Sequence, residues 1–153
     1  MLKKIISGGQ TGVDRAALDV AIRMGIPHGG WIPKGRLAED GTLPPHYHLQ
    51  EMADEAYEAR TEKNVQDSDG TLIISRGSPS GGTDYTRRMA LKHGKQMLHI
   101  DLALGQRPSD AGSLIASWIE MNRIETLNVA GPRASHDPAI YTDAVNILTH
   151  MLQ

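Results

Sequence analysis

Short apolar runs alternate with amphipathic stretches along this chain, and this alternation limits the folds open to it more than any other feature. The clearest run, Gly70–Ser75, is continuous and rich in apolar and β-branched residues, as expected of a strand buried on both faces. Further strands are predicted at 3–7, 27–32, Gln96–Asp101 and Thr126–Ala130. Helices between successive strands imply crossover connections. We therefore predict a three-layer α/β domain with helices on both faces of a mostly parallel sheet of about five strands.

The helices are predicted from apolar residues at helical spacing. The first begins near Val13, and Gly25 is placed to end it. A capping carboxylate followed by proline marks the start of the last helix at Asp137. The remaining helical segments are predicted at these places: residues 49–57, a short turn at 61–66, a helix after Ser80 that ends near Gly94, and a helix capped by Ser109.

Length and composition exclude several classes of protein. A chain of 153 residues is long enough for one domain with a buried core, so we predict a single domain over 1–153 with a long polar loop or lid at 33–48. The chain has 16 basic and 18 acidic residues, and this balance favours neither nucleic acid nor a membrane surface as partner. The absence of cysteine excludes disulfides and thiolate chemistry. No signal peptide or membrane-spanning run is legible, so a soluble, cytoplasmic protein is expected.

The site is predicted from strand order. Parallel α/β sheets bind ligands beyond the carboxyl ends of their strands, where the strand order reverses. With the expected order 2-1-3-4-5, the reversal falls between the strand at 3–7 and Gly70–Ser75. Those two strands are followed by the two most glycine-rich loops of the chain. We therefore predict that the two loops together form a phosphate-binding cleft.

The first loop offers backbone amides at the start of a helix, which suits a phosphate or another oxyanion. Serine at position 7 excludes a dinucleotide fingerprint, and no Lys-Ser or Lys-Thr pair follows the loop, which excludes a triphosphate P-loop. Thr11 and Asp14 also have the spacing of a capping box, which leaves a purely structural role open for Asp14. The candidate ligand-binding residues here are Gly8, Gly9, Gln10, Thr11, Gly12 and Asp14.

The second loop can supply hydroxyls and amides at the next helix start. Its candidate ligand-binding residues are Ser80, Gly81, Gly82 and Thr83. Two such loops side by side could hold the two ends of a phosphorylated ligand. Lys34 and Arg36 in the long loop are candidate cations that close over the ligand, and the alternative is a solvated charged loop.

Other polar residues carry weaker indications. A run of polar residues could lie near the same edge, although such residues often cap or solvate a helix: Arg60, Thr61, Glu62 and Asn64. Arg133 follows the last strand and could reach an anion, but the expected strand order places it far from the reversal. His46 and His48 form a His-x-His pair without a third ligand, so no metal site is predicted.

Several motifs in combination resemble the molybdenum carrier protein family over nearly the whole chain. They are Gly8-Gly9-Gln10-Thr11-Gly12-Val13-Asp14, Gly30-Trp31-Ile32-Pro33-Lys34-Gly35-Arg36, Ala38-Glu39-Asp40-Gly41, Arg60-Thr61-Glu62-x-Asn64-Val65, Ser68-Asp69-Gly70-Thr71 and Asn128-Val129-Ala130-Gly131-Pro132-Arg133. That family is similar in fold to a Rossmann-like group that includes the cytokinin-activating phosphoribohydrolases and DNA-processing-protein domains.

The resemblance implies a carrier or storage protein that binds molybdenum cofactor, a pterin dithiolene with a terminal phosphate, as cargo. It also implies a molybdoenzyme or a cofactor-synthesis protein as partner. Exposed helices in such folds often pair, so we expect a homo-oligomer.

Two alternatives remain open: a phosphoribohydrolase acting on nucleoside monophosphates, and a nucleotide-sensing domain. The phosphoribohydrolases carry a catalytic glutamate at the position where this chain has Thr86. Asp14, Glu39 or Asp40 would have to replace that carboxylate. The sequence therefore favours binding over hydrolysis, and no catalytic residue is predicted.

Overall fold

Five parallel strands form the central sheet of the computed structural model, which describes residues 1–153. The elements in chain order are β1 (Lys4–Ile6), α1 (Val13–Met24), β2 (His28–Gly29), β3 (Trp31–Ile32), β4 (Leu37–Ala38), β5 (Gly41–Thr42), β6 (Gln50–Glu51), α2 (Tyr57–Gln66), β7 (Gly70–Ser75), α3 (Gly81–Lys92), β8 (Gln96–Asp101), a 3-10 turn (Leu102–Leu104), α4 (Pro108–Met121), β9 (Thr126–Ala130) and α5 (Ile140–Leu152). The predicted three-layer Rossmann-like α/β fold is confirmed.

The strand order differs from the expected one in a single respect. The observed order is β2-β1-β9-β7-β8, so the last strand lies between β1 and β7 instead of at the edge. Ile5 of β1 pairs with Leu127 of β9, and Leu72 of β7 pairs with Val129. Leu127 and Val129 are fully buried, which is what a central strand requires. Strand order is set by pairing between segments far apart in the chain, so the spacing of apolar residues along the chain does not predict it.

Helices cover both faces of the sheet. On one face α5 packs between α1 and α4, and on the other α2 packs against α3. Adjacent residues of β8 show the division, since Leu98 packs against the larger core and Met97 against the smaller one. This is the alternation expected of a strand buried on both faces. None of the helices combines the length and apolarity needed to cross a membrane.

The segment from β3 to β6, residues 31–51, folds into a small substructure that we call the cap. The strand predicted at 27–32 breaks at Gly30, which has φ 125° and no space for a side chain beside the Ser7 carbonyl. Beyond this break β3 leaves the central sheet and pairs with β6, while β4 and β5 form a hairpin. Leu18 of α1 packs with a second group of buried side chains from this segment: Ile32, Leu43, Tyr47 and Leu49.

Within residues 33–48, the segment predicted as a long loop or lid, a short hairpin and packed side chains hold much of the backbone in place. The helix predicted at 49–57 is wrong, because residues 50–51 pair as a strand and Leu49 is buried in the cap. Helix α2 begins only at Tyr57 and includes the turn predicted at 61–66.

Helix boundaries follow the sequence signals unevenly. Helix α1 ends at Gly25, which has φ 71° in the left-handed region, as predicted. Helix α4 begins at Pro108, one residue before the predicted cap at Ser109. Helix α5 begins at Ile140, three residues after the predicted capping residue Asp137. The Asp137 carboxylate makes no capping hydrogen bond and pairs with Arg76 at 3.1 Å.

Candidate functional site

Three loops meet at the carboxyl edge of the sheet, because β9 lies between β1 and β7. These are residues 7–12 after β1, 76–80 after β7, and 131–139 after β9. Together with helix α2 they enclose a cleft of about 240 Å³. Few of its lining residues are hydrophobic, and the full set is Gly8, Gln10, Asp14, Tyr57, Arg60, Thr61, Asn64, Ser80, Gly81, Gly82, Thr83, Thr86, Asn128, Ala130, Gly131, Pro132, Arg133 and His136.

Arg60 of α2 is the most unusual residue of the cleft, since it is only 7% exposed. Its Nη1 donates a hydrogen bond to the Gly8 carbonyl. Its Nε is buried and has no hydrogen-bond partner. Burial lowers the pKa of the Arg60 guanidinium, although the Asp14 carboxylate opposes this. A buried donor without an acceptor is costly.

Asp14 faces the same cleft from the first turn of α1 and is 8% exposed. Its Oδ2 accepts a hydrogen bond of 3.2 Å from the Gln10 amide. A capping box would require the Thr11 amide as the donor to this carboxylate, so Asp14 does not form one. Burial raises the pKa of the Asp14 carboxyl to about 6, with the nearby arginines acting in the opposite direction.

Arg133 lies in the loop after β9, and its guanidinium sits 5.7 Å from the centre of the Tyr57 ring. The Arg60 guanidinium lies 5.4 Å from the same ring centre. The expectation that Arg133 is too far from the site is wrong, because β9 is central in the sheet. The two arginines and Tyr57 form one wall of the cleft.

The Arg133 loop is held by polar contacts from two other segments. The Ala134 amide donates to Thr11 Oγ1 at 3.0 Å. Glu39, at the tip of the β4–β5 hairpin, accepts from both the amide and the hydroxyl of Ser135 at 3.0 Å and 2.6 Å. Thr11 Oγ1 also donates to Glu39. The cap and the first glycine-rich loop thus determine where the Arg133 loop lies.

The amino terminus of α3 forms the remaining wall. Gly81 and Gly82 occupy its first turn, and a side chain at either position would meet no atom within 4 Å. Thr83 is 7% exposed, and Thr86 donates to the Gly82 carbonyl at 3.1 Å. Unpaired amides and the helix dipole make such a terminus favourable for an anion.

The structure brings most of the predicted site residues together. Those that line the cleft are Gly8, Gln10, Asp14, Ser80, Gly81, Gly82 and Thr83. Gly9, Thr11, Gly12, Lys34 and Arg36 do not line it. A side chain at Gly9 would meet the cap residues Leu49, Ile32 and Leu43, and one at Gly12 would overlap the Pro132 carbonyl. Gly9 and Gly12 therefore allow close packing, against side chains of the cap and against the backbone of the loop after β9 respectively. Their positive φ angles also favour glycine.

Lys34 and Arg36 do not close over the cleft. The Arg36 guanidinium donates to carbonyls of the cap, including those of Leu49 at 3.2 Å and Tyr47 at 2.9 Å. Lys34 is exposed on the cap surface. Arg36 has a structural role, because a guanidinium can satisfy several carbonyl groups at one place.

Several cleft residues were not among the predicted site residues: Tyr57, Arg60, Thr61, Asn64, Thr86, Asn128, Arg133 and His136. The polar residues on the predicted turn at 61–66 were one available signal. Asn64 is paired through its amide with the backbone of Trp31, at 2.8 Å and 3.2 Å, and this contact places α2 beside the cap. Only the three-dimensional packing reveals this contact between Asn64 and Trp31.

No three histidine or acidic side chains are grouped closely enough to hold a metal ion. His48 instead stacks on His28 with a ring separation of 5.3 Å, and its amide donates to His28 Nε2. The cleft brings together two guanidinium groups, one carboxyl and a helix amino terminus.

Comparison with known proteins agrees with this fold. Residues 5–152 match the profile of the circularly permutated YpsA SLOG family. A crystal structure of a protein from Syntrophus aciditrophicus SB, named "Putative molybdenum carrier protein", is 55% identical to the chain. The match covers 99% of this chain and 96% of that one, with a TM-score of 0.96. No curated protein matches. The chain therefore belongs to the circularly permutated YpsA SLOG family.

Proposed function

We propose that this protein binds a phosphorylated, pterin-type ligand in the cleft and acts as a carrier of molybdenum cofactor. The observation that carries the proposal is the Arg60 side chain, which lines a cleft that also includes the amino terminus of α3 and whose buried Nε has no hydrogen-bond partner. A phosphate placed between the two would accept hydrogen bonds from both. The name of the Syntrophus aciditrophicus relative supports molybdenum-related cargo.

The wall of Tyr57, Arg60 and Arg133 suits the flat part of such a ligand. Tyr57 is 41% exposed, so its ring is accessible at the cleft. Aromatic rings and guanidinium planes both stack on planar heterocycles. A ligand with one phosphate and one flat ring system would use the α3 terminus and this wall together.

The proposal is tested by mass spectrometry of the protein purified gently under anaerobic conditions, followed by reconstitution with molybdenum cofactor. We expect molybdenum with a pterin in the purified protein, or saturable cofactor uptake by the empty protein. Arg60→Met should lose this uptake, whereas Lys34→Met, on the exposed cap surface, should retain it. Failure of the empty wild-type protein to take up cofactor would contradict the proposal.

A second candidate function is phosphoribohydrolase activity on nucleoside monophosphates. One observation favours it: Asp14 places a buried carboxyl of raised pKa in the cleft, as a general acid requires. Glu39 and Asp40, the other carboxylates considered, are bonded to Ser135 and Arg15 outside the cleft. Release of free base from the common monophosphates, lost in Asp14→Asn, would support this function. A nucleotide that co-purifies without molybdenum and is not cleaved would favour a sensor.

A further inference from the structure

Asp14 and Arg60 face the same cleft but are not ion-paired. The only hydrogen bond to the Asp14 carboxylate comes from the Gln10 amide at 3.2 Å. The Arg60 guanidinium instead contacts the Gly8 carbonyl through Nη1, with Nε unpartnered. Each charged group therefore retains free hydrogen-bonding capacity within a cleft of about 240 Å³. A bound ligand would interact with both.

Two cations of the cleft face Asp14. They are Arg60 from α2 and Arg133 from the loop after β9, and both act on its carboxyl. Arg15, the next residue along α1, also acts on it, but its guanidinium is bound to the Gly9 carbonyl and to Asp40.

The other titratable groups near Asp14 are few. Tyr57 from α2 and His136 from the loop after β9 line the cleft. Helix α3 contributes no charged group to the lining, since Asp84 pairs with Arg87 and Arg88 on the same helix. His136 is thus the only histidine among the lining residues.

The charges of the cleft match a doubly charged anion when Asp14 is neutral. Arg60 and Arg133 supply two positive charges, and an ionised Asp14 cancels one of them. We propose that the cleft takes a tetrahedral oxyanion with two negative charges, such as a phosphate monoester or an oxometalate, and that Asp14 takes up one proton as this anion binds. This inference rests on the proposed function and adds a means by which pH controls loading and release.

The direction of the effect follows from linkage. In the free protein burial raises the pKa of Asp14 to about 6, so at neutral pH the carboxyl is mainly ionised. A dianion beside it favours the protonated form and raises this pKa further. Binding then consumes a proton, and affinity falls as the pH rises above the free-state value. The site would hold its ligand under mildly acidic conditions and release it under alkaline ones.

The probe for the test is sulfate, which stays doubly charged over the whole range and contributes no proton of its own. We expect wild-type protein to bind sulfate at least roughly tenfold more tightly near about pH 5.5 than near about pH 8. Asp14→Asn, which mimics the protonated carboxyl, should bind with nearly constant affinity. His136→Gln and the remote surface variant Asp110→Asn should both retain the wild-type pH dependence.

Calorimetry on the wild-type protein gives a second readout that needs no variant to fold. In two buffers of different ionisation enthalpy near about pH 7, sulfate binding should show net proton uptake approaching one per site. Equal affinity at both pH values, pH dependence that survives Asp14→Asn or disappears in His136→Gln, or no sulfate binding at the acidic pH would each overturn the inference. Cofactor uptake is measured separately, so the carrier function can fail or stand independently.

Discussion

The guanidinium of Arg60 lies directly on the backbone of Gly8, and its Nη1 donates a hydrogen bond to the Gly8 carbonyl. A Cβ at residue 8 would come within 2.7 Å of Arg60 Cζ and 3.0 Å of Nε. A side chain at residue 8 would therefore require the Arg60 guanidinium to move. This contact joins the first glycine-rich loop to helix α2. The same side chain carries the Nε that has no hydrogen-bond partner.

Gly8→Ala should displace Arg60 and abolish ligand binding. The added methyl overlaps the guanidinium, so we expect a loss of about 1–3 kcal/mol in the free energy of unfolding, as for other overpacked sites. Chemical denaturation measures this loss. Gly82→Ala is the matched control for stability, because nothing lies within 4 Å of its Cβ and alanine is the better helix former. A stable Gly8→Ala protein that binds normally would contradict the contact.

The double variant Gly8→Ala/Arg60→Ala separates steric overlap from other effects. Removing the guanidinium eliminates the overlap. The double variant should therefore lose less free energy of unfolding than the two single variants do together, by about 1 kcal/mol or more. Ligand binding should stay lost. Strictly additive changes in the free energy of unfolding would mean that Gly8 and Arg60 do not interact.

Arg60→Met should weaken binding of a phosphate monoester strongly while changing stability little. Loss of a charge-assisted hydrogen bond to the ligand is worth about 1.5–3 kcal/mol. Methionine keeps the apolar packing and removes a poorly satisfied buried charge, which is often neutral for folding. Isothermal titration and denaturation, with Lys34→Met as control, measure both quantities. If stability collapsed and affinity did not fall, Arg60 would be structural only.

Asp14 makes stability depend on pH in an unusual direction for a carboxyl. Burial raises its pKa from 3.8 to about 6, so the folded state holds the proton more tightly than the unfolded state does. This favourable contribution is complete below the unfolded pKa and is lost as pH rises through the folded pKa. Relative to Asp14→Asn, which cannot titrate, the wild type should lose roughly 2–3 kcal/mol between about pH 4 and pH 8. If the free energy of unfolding changed with pH in the same way for both proteins over this range, the Asp14 carboxyl would not be desolvated.

Glu39→Gln should loosen the loop that carries Arg133. The carboxylate accepts hydrogen bonds from Ser135 at 3.0 Å and 2.6 Å and from Thr11, and a neutral amide accepts fewer and weaker ones. We expect the free energy of local opening at the Ser135 amide to fall by about 0.5–1.5 kcal/mol, measured by hydrogen exchange. Glu120→Gln, on the exposed side of α4, serves as control. Unchanged exchange at Ser135 would exclude a role for the hairpin in holding this loop.

Thr83→Ala should weaken binding of a phosphate monoester by about 0.5–1.5 kcal/mol, the value of one hydrogen bond. The Thr83 hydroxyl lies in the cleft at the first turn of α3 and is available to a ligand. Thr83→Ser keeps the hydroxyl and should keep the affinity, which distinguishes hydrogen bonding from packing. Equal losses in both variants would point to the lost methyl group.

Much of the local structure could be predicted from local patterns. The strands Gly70–Ser75, Gln96–Asp101 and Thr126–Ala130 and the end of α1 at Gly25 are where the sequence indicates, because apolar runs and glycine act over a few residues. The same patterns failed at 49–57, where pairing of residues 50–51 with β3 overrides helical spacing.

By itself the sequence determined the α/β alternation, the family motifs, and the two glycine-rich loops that follow β1 and β7. Only the tertiary structure decided that β9 lies between those strands, that Arg133 therefore reaches the cleft, and that Arg60 lies on Gly8 while Arg36 supports the cap. Secondary structure arises from interactions over a few residues, whereas strand order and the burial of a charged side chain depend on segments far apart in the chain.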